Sequence, residues 1–337
     1  MFRAIAKIRL GKPHKRTPWG LTLVVLVLCV VFAPLVHEHW VSRSPMFFAE
    51  RRELPVHAPA RTIVSISTFS QRVFNMRWCL DAVFAQSQLP DRIIISIPRK
   101  FRVLEPTTGT DYTTPIRHNE TELHMVAWFS DYTGVPAVYH VNMNRHKTSY
   151  VYEMGILTVQ FLDDDPWGPA TKLVGALLLE KDPETVIITL DDDIPYHRDT
   201  VKWLATHTQP GIALSFGCEM WLPDRSSFVD FTMWSIHLYI MTTPRVCGGW
   251  LVGWTGVAYR VSSFGPDIYT FLQALPIGCF NNDDMWLSGY VGRQGISKIY
   301  APMGMKNGGM HKNTELSLSS IVNYREKGYS CGRHLFP

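Results

Sequence analysis

Between Thr62 and Phe216, hydrophobic and polar positions alternate in blocks whose periods change from strand to helix and back. Thr62-Ile63-Val64-Ser65-Ile66-Ser67 has the length and alternation of a β-strand. A helix is predicted over 73–86, with Leu80, Val83 and Phe84 on one side, and Leu89-Pro90-Asp91 makes a turn. The run 92–97 gives a second strand and 135–141 a third. Residues 99–134 are irregular and rich in Thr, Pro and Asp, so they are expected to form a long loop region. A helix is predicted over 169–181, from Pro169 near its start and Leu173, Ala176, Leu177 and Glu180 at helical spacing. The continuous apolar run 185–190 fits a strand covered on both faces, followed by a helix at about 199–206 and a strand at 211–216. This alternation predicts an α/β fold with a mostly parallel sheet flanked by helices.

The N-terminus follows a different pattern. Residues 1–18 carry Arg3, Lys7, Arg9, Lys12, Lys15 and Arg16 and no acid, and residues 19–36 carry no charge. That run would span about 27 Å as a helix, near the thickness of a thin bilayer. It reads either as a transmembrane signal-anchor or as a cleaved signal peptide. Its length and Pro34 directly after Ala33 favour the anchor. The expected order is then a cytoplasmic tail (1–18), an anchor (19–36), a Pro- and charge-rich stem (37–60) and a lumenal catalytic domain (61–337). Golgi or endoplasmic-reticulum membrane placement follows, single-pass and type II. The Asn119-Glu120-Thr121 sequon is compatible with it.

Composition narrows the function classes. A 337-residue chain that is 46% hydrophobic can bury a substantial core. The net charge of only +4, with part of the excess in the N-terminal tail, excludes a nucleic-acid-binding stripe. Five cysteines lie outside the apolar run, with no CxxC pair and no zinc spacing, so an odd one stays free or pairs between chains.

The strongest chemical signal is Asp191-Asp192-Asp193, directly after the apolar strand. Adjacent carboxylates repel one another and need a cation or hydrogen-bond donors to offset the cost. Hard cations such as Mg²⁺ or Mn²⁺ suit carboxylate oxygens and bind substrate phosphates as well. The carboxyl edge of an open α/β sheet is also where ligands usually sit. The alternative is a polar turn whose acids cap the next helix. A second run, Asp163-Asp164-Asp165, has no strand behind it and reads as a solvated loop, with Asp165 an outside candidate for the donor pocket. Lys172, beside the helix start at Gly168-Pro169, is a candidate diphosphate contact. The 248–256 segment mixes glycine with Trp250 and Trp254, either to stack on a sugar or to fill the core. Asp283 and Asp284 open a further helix, where one of the pair is expected to cap it while the other faces the cleft. His311 is a possible metal or phosphate contact.

These residues together resemble the GT-A-fold glycosyltransferases. The strand ending in Thr189-Leu190-Asp191-Asp192-Asp193 looks like the family's DXD element, and Asn282-Asp283-Asp284-Met285-Trp286 is similar to its acidic catalytic motif. The opening 63–86, followed by 90–95, is similar to family-2-like members, and the resemblance covers roughly 62–302. It implies a GT-A-like, Rossmann-like α/β fold and a nucleotide-sugar donor over the first half of the sheet. Asp191 and Asp193 match the metal-binding acids, for Mn²⁺ or Mg²⁺, with His311 as a further ligand. Asp192, Lys172, Thr68 and Phe69 would lie at the donor, and Asp284, with Asp283 beside it, would be the acceptor-activating base. The chain departs from the family pattern in the length and irregularity of 99–134. The implied activity is sugar transfer to a hydroxyl of a glycan, lipid or protein acceptor; a carboxylate base suits direct displacement and hence inversion, while the motif itself leaves inverting or retaining open. Alternatives are a nucleotidyl- or phosphosugar-transferase using the same acids, or a non-catalytic binding module on this fold.

Overall fold

The computed structural model describes residues 53–59, 61–104, 111–115, 120–165, 167–219, 244–274 and 279–301. The strands in chain order are β1 (Thr62–Ser67), β2 (Arg92–Pro98), β3 (Lys100–Leu104), β4 (Asp111–Pro115), β5 (Val138–Met143), β6 (Thr148–Met154) and β7 (Leu157–Leu162). They continue with β8 (Val186–Leu190), β9 (Ile212–Ser215), β10 (Cys218–Glu219), β11 (Arg245–Val246), β12 (Trp250–Leu251), β13 (Val257–Arg260) and β14 (Ser297–Tyr300). The helices are α1 (Arg77–Phe84), α2 (Glu120–Thr133), α3 (Thr171–Leu179), α4 (Thr200–His207), α5 (Ile268–Gln273) and α6 (Asp283–Arg293).

The apolar runs become the centre of one large sheet, because a strand buried on both faces can carry hydrophobic residues at every position. Its order is β11-β14-β9-β13-β8-β1-β2-β7-β6-β5. The central block β8-β1-β2-β7 is parallel throughout, with Val64 opposite Ile93 on one side and Ile188 on the other. Both flanks are antiparallel where β13 enters between β8 and β9 and where β6 and β5 fold back from β7. The architecture is therefore α/β, a mixed sheet with a parallel heart and helices packed against it. Helix α3 lies against β1, β2 and β8, and its Gly175 makes the approach possible: a Cβ there would overlap Ser96 Oγ and sit 2.5 Å from Gln160 Nε2.

The expected loop region 99–134 is corrected. It holds the antiparallel ribbon β3–β4 and the fourteen-residue helix α2, which buries Met125, Val126 and Phe129 against the core. Residues 135–141 were expected as a strand, and β5 forms there slightly later, as an exposed edge strand. Strands β6 and β7 join the sheet beyond the predicted set, β7 buried along its whole length.

The expected Golgi or endoplasmic-reticulum membrane placement is also corrected. Among the described residues no helix is long and apolar enough to cross a membrane. The anchor assigned to 19–36, the basic tail and most of the stem lie outside the described residues, as do Asn119 and His311. Cys218 and Cys247 form a disulfide, Cys279 is disulfide-bonded as well, and Cys79 is a buried free thiol.

Candidate active site

Strand β8 is covered on both faces, so the chain can turn polar only where the strand ends, and it does so at the three aspartates. The backbone of Asp191 is fixed there from two sides. Its N–H donates to Tyr196 Oη at 2.8 Å, and its carbonyl accepts from Cys79 Sγ at 3.3 Å. Burial, then the charges of Asp192, Asp191 and Asp193, push the Cys79 thiol well above its ordinary range, so it stays a neutral donor.

The middle residue, Asp192, is buried and faces β1. Its carboxylate accepts from Thr68 Oγ1 at 2.6 Å and pairs with Arg72 Nη2 at 2.7 Å. The same guanidinium nitrogen reaches Asp193 Oδ2 at 2.9 Å, and the guanidinium lies over the Phe69 ring, 5.6 Å from its centroid. Burial pushes the Asp192 carboxyl up to about 6, although Arg72 and the Thr68 hydroxyl pull the other way. Desolvation outweighs a single cation at this depth. Asp193 is also raised, by burial and then by Asp191.

The second acidic group arrives at the start of α6. Asn282 caps this helix, its side chain accepting from Met285 N at 3.3 Å. The expectation that Asp283 or Asp284 would act as the cap is thus corrected, and neither carboxylate is spent on capping. Asp284 Oδ2 accepts the Gly253 N–H at 2.9 Å. Burial, then Asp283, holds the Asp284 carboxyl well above the usual carboxylate range, against the pull of Lys172.

Lys172 joins the two groups. Its ammonium lies 2.7 Å from Asp191 Oδ1 and 3.0 Å from Asp283 Oδ2, with only 6% of the residue exposed. The contact to Asp283 is an ion pair without hydrogen-bond geometry, so that buried oxygen still lacks a donor. Burial works against the Lys172 charge, yet Asp191, Asp283 and Asp284 together raise its pKa well above normal. Ser65 Oγ donates to the Lys172 carbonyl and ties this helical turn to β1. Gly253 makes room for the junction: a Cβ there would overlap Asp284 Oδ1 and stand 3.0 Å from Lys172 Nζ.

The structure thus brings together Thr68, Phe69, Lys172, Asp191, Asp192, Asp193, Asp283 and Asp284 on one stretch of the sheet edge. Asp165 is buried and takes the Thr171 hydroxyl at 3.3 Å. Trp250 is buried and Trp254 is 38% exposed, so one tryptophan of the pair belongs to the core and the other to the surface. Arg72 is the important residue that sequence reasoning missed. The available signal was its position, as the first basic residue after β1. Among the described residues no group of three or more His, Cys, Asp or Glu side chains is arranged to hold a metal.

No protein-family model matches this chain, and no curated protein matches it. Among solved structures it is similar to a mannosyltransferase from Pyrobaculum calidifontis determined with GDP-Man and Mn²⁺, at 17% identity and a TM-score of 0.41. That alignment covers 83% of this chain and 65% of the other. It is also similar to S. aureus TarS 1-349, at 14% identity and TM-score 0.35, covering 72% of this chain and 60% of that one. A mycobacterial protein aligns at 14% identity and TM-score 0.37, covering 81% and 76%. The chain therefore spans less than two thirds of the first two structures. At these scores the likenesses decide nothing about chemistry, which rests on the side chains described above.

Proposed function

We propose that this chain transfers a sugar from a nucleoside-diphosphate donor to an acceptor hydroxyl, on a GT-A-type scaffold with Mn²⁺ or Mg²⁺ at Asp191 and Asp193. The observation that carries this reading is the Lys172 ammonium, which joins a strand-edge acid and a helix-start acid from distant parts of the chain. Sugar transfer by direct displacement needs charge neutralised at a leaving diphosphate and a base beside the attacking hydroxyl. The two acidic groups divide naturally between those tasks.

The donor set fits a hard cation. The side chains of Asp191 and Asp193 are 31% and 30% exposed, and the ion pairs with Lys172 and Arg72 take one oxygen of each, Oδ1 of Asp191 and Oδ2 of Asp193. One or two carboxylates suffice for such an ion, because phosphate oxygens and water complete the shell. When bound, it would supply charge neutralisation at the diphosphate. Thr68 and Arg72 hold Asp192 and Asp193 so that the edge keeps its shape. Lys172 has its charge committed to Asp191 and Asp283, so its role here is to position acids rather than to grip phosphate directly.

Asp284 is the base. Its carboxyl is raised, which brings its proton affinity toward that needed to accept a hydroxyl proton, and the Gly253 N–H fixes one oxygen. Displacement assisted in this way inverts the anomeric centre.

The test is a screen of UDP- and GDP-sugars, measuring nucleotide release with and without Mn²⁺. Metal-stimulated release of a nucleoside diphosphate is expected, and Asp193→Ala should abolish it while leaving the circular dichroism spectrum intact. Release of pyrophosphate instead would mean nucleotidyl transfer, and the proposal would fail. It would fail equally if Asp193→Ala kept full, metal-dependent turnover.

A further inference from the structure

At the opposite end of α3 from Lys172 lies a cavity of about 570 Å³, in the size range of small-molecule pockets. Three basic side chains line it: Arg145 and His146 from the turn between β5 and β6, and Lys181 just past α3. Leu177, Phe264 and Ile268 contribute apolar wall. Nothing in the sugar-transfer chemistry uses this cavity, and about 13 Å of helix separates it from the acids.

We infer that this cavity is a second binding site, for a small molecule bearing an oxyanion such as a phosphate, sulfate or carboxylate. The charge balance around it is the first support. Glu180 is the acid in the lining, and its Oε1 is taken by Arg61 at 3.3 Å and Arg92 at 3.2 Å. Among the described residues no carboxylate pairs with Arg145 or Lys181. Like charges gathered on a concave surface repel, and an anion between them turns that repulsion into attraction.

Geometry supplies the second support. Arg145 Nε donates to His146 Nε2 at 2.9 Å, so that nitrogen is unprotonated and the neutral ring carries its proton on Nδ1. The ring is held by stacking on Tyr269, with centroids 3.9 Å apart and planes 16° from parallel. Burial lowers the His146 pKa, and Arg145 and Lys181 lower it further, which is the imprint of a local positive field. The carbonyls at the end of α3 have donors of their own, one of them the Lys181 ammonium. Leu177 O accepts from Tyr269 Oη at 3.2 Å and from Lys181 Nζ, and Leu178 O accepts from the Asn142 and Asn144 amides. The bond to His146 uses the Arg145 Nε, and the terminal nitrogens of the guanidinium are the donors that would meet an oxyanion.

Calorimetric titration of the full chain, free of metal and at low ionic strength, tests this with inorganic phosphate, glucuronate and glucose as probes. Saturable binding of phosphate or glucuronate at millimolar concentration is expected, with no binding of glucose. Arg145→Ala and Lys181→Met should each weaken it, Arg145→Ala by roughly tenfold or more, the loss expected for a charge-assisted hydrogen bond. Binding of phosphate alone would point to a phosphate ester, and of glucuronate alone to an acidic sugar; both outcomes keep the site. The His146 ring resonances should shift on titration and separate this site from the strand-edge acids. Absence of saturable binding by either anion would overturn the inference, as would binding that both substitutions leave unchanged.

Discussion

Asp192 is a buried carboxyl whose environment pulls in two directions, and burial wins. Its value of about 6 in the folded chain stands above the ordinary carboxylate value near 4 that it has unfolded. Between those two pH values the folded state holds a proton that the unfolded chain has released, so stability falls as pH rises through this window. The group's contribution is about 2–3 kcal/mol across it. Urea denaturation of the metal-free protein from pH 4 to 7 should show this slope in wild type relative to Asp192→Asn. Parallel profiles would contradict the burial described here. Asp284 gives a kinetic counterpart. As the proposed base it would act in its ionised form, and its pKa is raised, so turnover should climb with pH along an acid limb lying above the usual carboxylate range. A flat profile from pH 5 to 8 would speak against Asp284 as base. Thr68 and the aspartates could be picked out from the sequence because a buried strand must end somewhere polar. Arg72 could not, since it lies in an irregular turn and acquires its role only when β1 and β8 become neighbours.

Helix α3 shows how one element sets the site. Its N-terminal turn carries Lys172 to the acids, and its middle packs against β2 and β7 without a side chain at Gly175. Gly175→Ala forces atoms into Ser96 and Gln160 and should cost about 1–3 kcal/mol of stability, more than its gain in helix propensity returns. Thermal denaturation of the variant checks this, and an unchanged midpoint would show that the helix can shift. At α6 the cap is Asn282, so Asn282→Ala should cost about 1 kcal/mol, whereas Asp283→Asn should not act as a cap loss at all. The strands and helices around 62–98 and 169–216 were legible because apolar runs of strand length, alternating or continuous, are separated by apolar positions at helical spacing. Helix α2 was not, because its inward positions Met125, Val126 and Phe129 fall in one short apolar run, 125–129, bounded by His124 and Ser130 in a segment rich in Thr and Asp. Its identity as a helix is set by the core it covers more than by its own pattern.

At the scale of the whole molecule, the parallel block ends its strands on one edge, and antiparallel β13 and its neighbours bring α6 to that same edge. The α/β class followed from the alternation of elements. The antiparallel insertion did not, since β13 follows a glycine-rich segment and pairs with two strands distant in sequence. The contact between Lys172 and Asp283 is of the same kind: each residue was visible as a candidate, but their meeting depends on how α3 and α6 pack. On the proposed function, these acids form one site with separate donor and acceptor halves. The most direct test is Asp284→Asn, which keeps the shape and removes the proton acceptor. Steady-state kinetics with an active nucleotide-sugar should show turnover reduced by roughly 10²–10⁴-fold, the size of a lost general base. Calorimetric titration of the same donor in Mn²⁺ should give an affinity within a few-fold of wild type, because the proposed donor contacts lie at the end of β8. Undiminished turnover, or donor affinity lost in step with turnover, would contradict the division of roles.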